Sequence, residues 1–137
     1  MKVIGFNFTR MSAERLKDSA ENIKINTEME FPEIKRAKSQ FFKAGKEDMI
    51  EVKFEYKVNY EPGLAKIAIH GTMFLSVEEK TSEEILKQWK KKALPEDFRI
   101  FISNIVMKKA TLKALNLCDE LNLPIHIPMP VMRKESK

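Results

Sequence analysis

The residues best suited to acid–base, metal or nucleophilic chemistry in this chain are His70, His126 and Cys118. A zinc site needs about four ligands, usually in closely spaced pairs. The two histidines stand far apart, one on the polar side of a strand pattern and one in a proline-rich stretch. Their spacing is that of a solvated and a tail histidine. Cys118 has no second cysteine to pair with, and Leu117 and Leu121 around it mark a buried thiol. The carboxylate pairs Glu78-Glu79 and Glu83-Glu84 fall at the ends of patterned segments, where solvation accounts for them. Phosphate-cradling loops need glycines at fixed offsets, and the four glycines here have no such spacing. Lys35-Arg36 with Lys38, and Lys90-Lys91-Lys92 after Trp89, are the segments suited to phosphate or nucleic acid. Lysines that close a helix are also favoured by its dipole. These residue types call for no metal, nucleotide or other cofactor, and the expectation is a protein that is not an enzyme.

The totals set the frame for the elements. At 137 residues one domain is expected, comprising 1–132, with 133–137 as a disordered tail. A hydrophobic content of 43% with 33% charged residues belongs to a folded chain, not an intrinsically disordered one. No apolar run approaches the ~20 residues that span a bilayer, and Met1 to Gly5 lacks a signal-like apolar core. A cytoplasmic protein without membrane insertion is the expectation. The net charge of +5 is spread among interleaved lysines and glutamates, the pattern of a solvated surface.

Alternation with a period of two organises the chain. Ile50, Val52, Phe54, Tyr56, Val58 and Tyr60 occupy one parity, with Glu51, Lys53, Glu55, Lys57 and Asn59 on the other. Such a run is a strand with one buried face. After Glu61-Pro62-Gly63, a turn sequence, Ile67, Ile69, Gly71, Met73, Leu75 and Val77 repeat the pattern. Ile4, Phe6 and Phe8 begin a first strand reaching toward Arg15. Ile23, Ile25, Thr27, Met29 and Phe31 mark a second. Hairpin connections favour an antiparallel sheet with one wet face, on which Lys24, Glu28, Glu51, Lys53, Glu55 and Lys57 mix their signs. Strands this long twist and bend, and Gly71 is the expected site of a bulge or a close approach. Pro32 to Asp48 reads as a long non-strand connection, with a short helix possible up to Lys43 before Gly45.

Two helices follow. Thr81 and Glu84 have capping-box spacing, and Ile85, Leu86, Trp89 and Ala93 form a stripe opposed by lysines. Pro95 with Glu96 and Asp97 begins a longer helix. From Phe98 to Met107 seven of ten residues are large and apolar, and the pattern Leu112, Leu115, Leu117, Leu121 favours helix to about Glu120 over a buried strand. A helix apolar nearly all round needs cover on more sides than one sheet face supplies, which points to association. Pro124, Pro128 and Pro130 keep the remainder extended, and Ile125, Ile127, Met129 and Val131 are expected to pack along the body. The fold class is α+β: a curved four-stranded antiparallel sheet, then a short and a long C-terminal helix packed on one face.

This order of elements resembles the SecB family of export chaperones. The local likeness lies in Asn104-Ile105-Val106-Met107-Lys108-Lys109-Ala110 and in Leu121-Asn122-Leu123-Pro124-Ile125-His126-Ile127-Pro128, with a weaker one from Phe6 to Glu14. The resemblance implies a molecular chaperone that holds unfolded or extended polypeptide in an apolar groove without nucleotide hydrolysis. It implies a homo-oligomer, a dimer or a tetramer built as a dimer of dimers. Carried over by position, it puts Ile34, Phe41 and Phe42 in the groove, with Trp89 and Phe98 on the helix side. Members that deliver clients to the export motor use an acidic patch on the sheet face, and the alternating Glu and Lys here depart from it. Two other classes fit the residues: a basic nucleic-acid-binding module, and a non-catalytic subunit of a larger complex.

Overall fold

The computed structural model describes residues 1–19, 21–37 and 47–134. Strands β1 (Lys2–Arg15), β2 (Lys24–Arg36), β3 (Glu47–Glu61) and β4 (Ala65–Glu78) precede helices α1 (Glu79–Trp89) and α2 (Glu96–Glu120). The strands form one antiparallel sheet in the order β1-β4-β3-β2. α1 packs on β2, β3 and β4, and α2 on β3 and β4. This is the expected α+β architecture.

β3 and β4, the two central strands, follow the alternation of their sequence. Ile50, Val52, Phe54, Tyr56, Val58 and Tyr60 are buried, as are Ile67, Ile69, Met73, Leu75 and Val77. Gly63 takes a left-handed φ of 58° at the turn, a region open to a residue without Cβ. Gly71 is a point of close approach. A Cβ there would stand 2.3 Å from Phe54 Cζ and 2.6 Å from the Asn7 carbonyl oxygen. The Phe54 ring lies in that space, stacked on Phe6 at 5.0 Å and edge-on to Phe8 at 6.3 Å between centroids.

The edge strands depart from the sequence reading. In β1 the register shifts between Val3 and Gly5 and again between Phe8 and Arg10. Val3 therefore takes the core side beside Phe6 and Phe8, and Ile4 is turned out at 39% exposure. β2 does not end at Phe31. It continues through Pro32 to Arg36, so the helical reading is wrong for 32–36. The ladder steps from Glu30 to Glu33 across a register shift, and Pro32 falls inside it. An edge strand tolerates a residue without an N–H donor at such a step. Residues 38–46, the rest of the expected connection, lie outside the described residues.

α1 starts two residues before the expected cap, directly after β4. Glu78 is the N-cap and makes no side-chain cap bond. Thr81 falls within the first turn, and Glu84 instead accepts a hydrogen bond from Gln88 Nε2 at 2.8 Å. Of the lysines expected in the last turn only Lys87 is there, while Lys92 lies beyond it with φ 57°. In α2, Pro95 is the N-cap, with Glu96 and Asp97 in the first turn. The helix buries every fourth residue: Phe98, Ile102, Val106, Ala110, Ala114 and Cys118. Leu112, one of the leucines in the helix pattern, is 66% exposed, with Ile100 and Met107 also outside. The C-terminal half of α2 thus lays small residues on the sheet, where Tyr56 and Tyr60 supply the volume. No described helix is long and apolar enough to cross a membrane.

Candidate binding surface

The sheet's core face is wider than the two helices laid on it. On the β1 side Val3, Phe6, Phe8 and Ala13 are only half-buried and Met11 is 49% exposed. On the β2 side Ile23, Ile25, Met29 and Phe31 are half-buried. Two apolar strips therefore run along the flanks of the layer. Along β1 the strip is roofed by cations: Lys109 Nζ lies 5.1 Å from the Phe6 ring centre and Lys113 Nζ 5.6 Å from that of Phe8. Their methylene stems shield the rings and their charges stay wet. Among the described residues no strand pairs with the outer edge of β1.

A cleft of about 540 Å³ opens where β4 passes into α1 and α2 begins. Met1, Pro95 and Phe98 line it together with Glu78, Lys80, Thr81, Glu84 and Asp97. The Phe98 side chain is 1% exposed and belongs to the core. Ile34, at 3%, is part of the same core. Trp89 is half-buried against that core, with Lys92 Nζ over its ring at 4.7 Å. Phe41 and Phe42 lie outside the described residues. Of the five residues expected in the groove, the structure thus brings Ile34, Trp89 and Phe98 onto one apolar cluster. The β1 strip was missed, although the Phe6-Phe8 alternation was its signal.

The opposite face is polar and internally paired. Lys53 contacts Glu33 at 3.0 Å, Lys35 contacts Glu51 at 3.2 Å and Glu33 at 3.5 Å, and Lys57 contacts Glu55 at 3.4 Å. His70, expected on the polar face, lies there with Nδ1 3.5 Å from Glu55. The hydrogen bond from Lys53 and the charge of Lys35 hold the Glu33 carboxyl below its ordinary range. The hydrogen bond to Glu51 and its charge raise the Lys35 ammonium. Among the described residues no three His, Cys, Asp or Glu side chains are grouped to hold a metal ion.

A second polar assembly closes the far end of the core. Tyr60 donates to the Pro124 carbonyl oxygen at 2.5 Å and stands 3.0 Å from Cys118 Sγ. Tyr56 Oη lies 2.9 Å from His126 Nε2 and 3.2 Å from Thr111 Oγ1. α2 has no basic residue in its last turn. Arg15 of β1 supplies the charge from outside, donating from Nη1 to the Leu121 and Asn122 carbonyls at 2.9 Å each. Asn122, at φ 52°, turns the chain, and the Leu123 amide bonds back to the Cys118 carbonyl at 2.9 Å. Leu123 is thereby buried, with His126 and Ile127 half-buried. Packing ends there: Ile125, Met129 and Val131 are exposed, against the expectation that they pack along the body, and Met132 is exposed beyond them.

A four-stranded open antiparallel sheet followed by a short and a long helix on one face is a SecB-like fold. The SecB-like chaperone Rv1957 of Mycobacterium tuberculosis, solved in complex with a ChAD peptide from the Rv1956 HigA1 antitoxin, shares it with a TM-score of 0.56 over 98% of this chain and 92% of its own, at 12% sequence identity. No family model and no curated protein matches the sequence.

Proposed function

We propose that this protein is a holding chaperone that binds unfolded or extended polypeptide through apolar surface, without nucleotide hydrolysis. The observation that carries the reading is the pair of half-covered apolar strips left by a sheet broader than its helices. Binding a client's exposed segments withdraws it from aggregation by mass action, which needs contact area and no chemistry. The fold-level likeness to a chaperone solved with a peptide supports the same reading.

In this proposal Phe41, Phe42 and Trp89 make the client contacts, Ile34 and Phe98 form the apolar floor beneath them, and the working form is a cytoplasmic homo-oligomer, dimer or tetramer. The outer edge of β1, which no described strand pairs, and the exposed Ile100, Met107 and Leu112 of α2 are surface that a second copy would cover. Delivery to an export motor is not part of the proposal, because the polar face pairs its carboxylates with lysines. Nucleic-acid binding is the weaker reading: Lys92 already occupies a face of Trp89, the ring best placed to stack on a base.

The test is suppression of light scattering by an aggregating model client. Wild-type protein is expected to suppress it at near-stoichiometric ratios, and a Phe41→Ser/Phe42→Ser variant to lose most of that effect. Failure of the wild type sinks the proposal. A client that quenches or shifts the fluorescence of Trp89, the single tryptophan, locates the contact.

A further inference from the structure

The β2 flank of the sheet is longer than α1 can cover. α1 packs on β2 and β3, but its 11 residues reach only about 16 Å beside a 13-residue strand of about 43 Å. The rest of that flank receives the chain that follows α2. Lys109 and Lys113 of α2 stand over Phe6 and Phe8 of β1. Thr111 is two residues from each, and so on the opposite side of a helix with about 3.6 residues per turn, where it meets Tyr56 of β3 at 3.2 Å. On that side Tyr60 donates to the Pro124 carbonyl, and Tyr56 Oη lies 2.9 Å from His126 Nε2. Tyr60 pairs in register with Ile25 and Tyr56 with Met29, both half-buried. The segment therefore runs back along β3, between α2 and the apolar strip of β2.

What lies there has the character of an unfolded chain. From Leu121 to Met132 there is no charged side chain, and Pro124, Pro128 and Pro130 keep the backbone out of helix. Among the described residues it pairs with no strand. Leu123 belongs to the cap of α2, its amide bonded to the Cys118 carbonyl. Past it the hold is small: the two tyrosine contacts and the half-buried His126 and Ile127, with Ile125, Met129, Val131 and Met132 exposed. The Tyr60 contact is to a main-chain carbonyl, a group that every polypeptide carries. Such a floor recognises extended backbone and aliphatic bulk, not a particular sequence.

We propose that this flank is a channel for extended, uncharged, aliphatic polypeptide, and that segment 124–132 is its resident occupant, displaced when a client binds. The identity of the client rests on the holding-chaperone reading; the exchange is a property of the channel itself. Displacement replaces like with like, a client carbonyl for that of Pro124 and a client side chain for that of Ile127. Between clients the resident segment keeps Ile25, Met29 and the tyrosine hydroxyls covered. It also sets a threshold, because an incoming chain must outcompete a tethered one.

The probe is a fluorescent peptide with the sequence of residues 124–132, titrated into full-length protein labelled at its isoleucine methyl groups. Saturable binding is expected, with the Ile127 resonance moving toward its position in the free peptide while Ile67 and Ile69 of the sheet stay put. Ile127→Ser in the protein loosens the resident segment and is expected to tighten peptide binding roughly four- to tenfold, the factor that half-burial of an isoleucine corresponds to. The same change placed in the peptide is expected to weaken binding by a similar factor. No saturable binding overturns the proposal, and so does binding that leaves Ile127 unmoved and is indifferent to Ile127→Ser. Suppression of client aggregation is scored separately. Peptide exchange without suppression would overturn the holding function and leave the channel standing, while suppression without exchange would overturn the channel alone.

Discussion

Substituting Gly71 by alanine is the sharpest probe of how the sheet's core face is packed. The added methyl would lie 2.3 Å from Phe54 Cζ, 2.7 Å from Cε1 and 2.6 Å from the Asn7 carbonyl oxygen. The first two contacts belong to a ring that is 1% exposed and packed against Phe6 and Phe8, so moving it disturbs both. The third is backbone of the paired strand and yields only if β1 shifts. Overpacking of this kind costs about 1–3 kcal/mol, offset by about 0.4–1 kcal/mol from the narrower unfolded ensemble of alanine. A net loss of about 1.3 kcal/mol is expected. For a chain of 137 residues, an unfolding entropy of about 2.1 cal/mol/K per residue turns that into a fall in Tm of roughly 5 °C. Equilibrium urea denaturation with unchanged m-value is the assay. Adding Phe54→Leu should recover part of the loss, a coupling of about 0.5–3 kcal/mol, because the ring contacts go and the carbonyl contact stays. A Gly71→Ala midpoint within about 0.5 kcal/mol of wild type, or a strictly additive double variant, would refute this account of the packing.

Three further outcomes follow from the same structure. Burial raises both Tyr56 and Tyr60 above the ordinary tyrosine value, so their contribution to stability is complete below about pH 10 and is lost as pH climbs through the folded-state values. These are the chain's only two tyrosines, so phenolate absorbance reads them directly; ionisation near pH 10 in the folded protein would contradict the burial. Arg15→Met removes the charge from the α2 C-terminus and should cost about 1 kcal/mol in denaturant midpoint, with the loss of exchange protection concentrated at Leu121 to Leu123. Ala114→Leu should cost about 1–3 kcal/mol by pushing α2 off the sheet, whereas Leu112→Ala on the exposed side should stay within about 0.5 kcal/mol; the reverse order would mean the helix is rotated.

The sheet's centre was legible because β3 and β4 are flanked on both sides, and their alternation runs unbroken from Ile50 to Tyr60 and from Ile67 to Leu75. The edges were less so. A strand with one free side accepts a shifted register, and that freedom turned Ile4 outward and carried β2 through Pro32. In α2 the large leucines drew the eye, yet the face laid on the sheet is Ala110, Ala114 and Cys118, because a helix can approach closely only where its side chains are small. The place of His126 against the core could not be read from its own surroundings. Its partner Tyr56 stands 70 positions away, and only folding brings the two together. Of the expected groove, Ile34 and Phe98 were legible as apolar and Trp89 as bordering them, while strand and helix periodicity says nothing about which of them faces a client.

Arg15 carries one more consequence. Its guanidinium grips carbonyls 106 and 107 residues farther along the chain, and the strand that bears it is paired throughout with β4, not with β2. During synthesis β1 therefore emerges before its neighbour, must wait for β4 to appear, and reaches the carbonyls that Arg15 grips only when the end of α2 has left the ribosome. A strand made ahead of β2, β3 and β4 is thus secured only after the last of them, and an interrupted translation product would present that strand, phenylalanines included, to whatever quality-control machinery lies nearest.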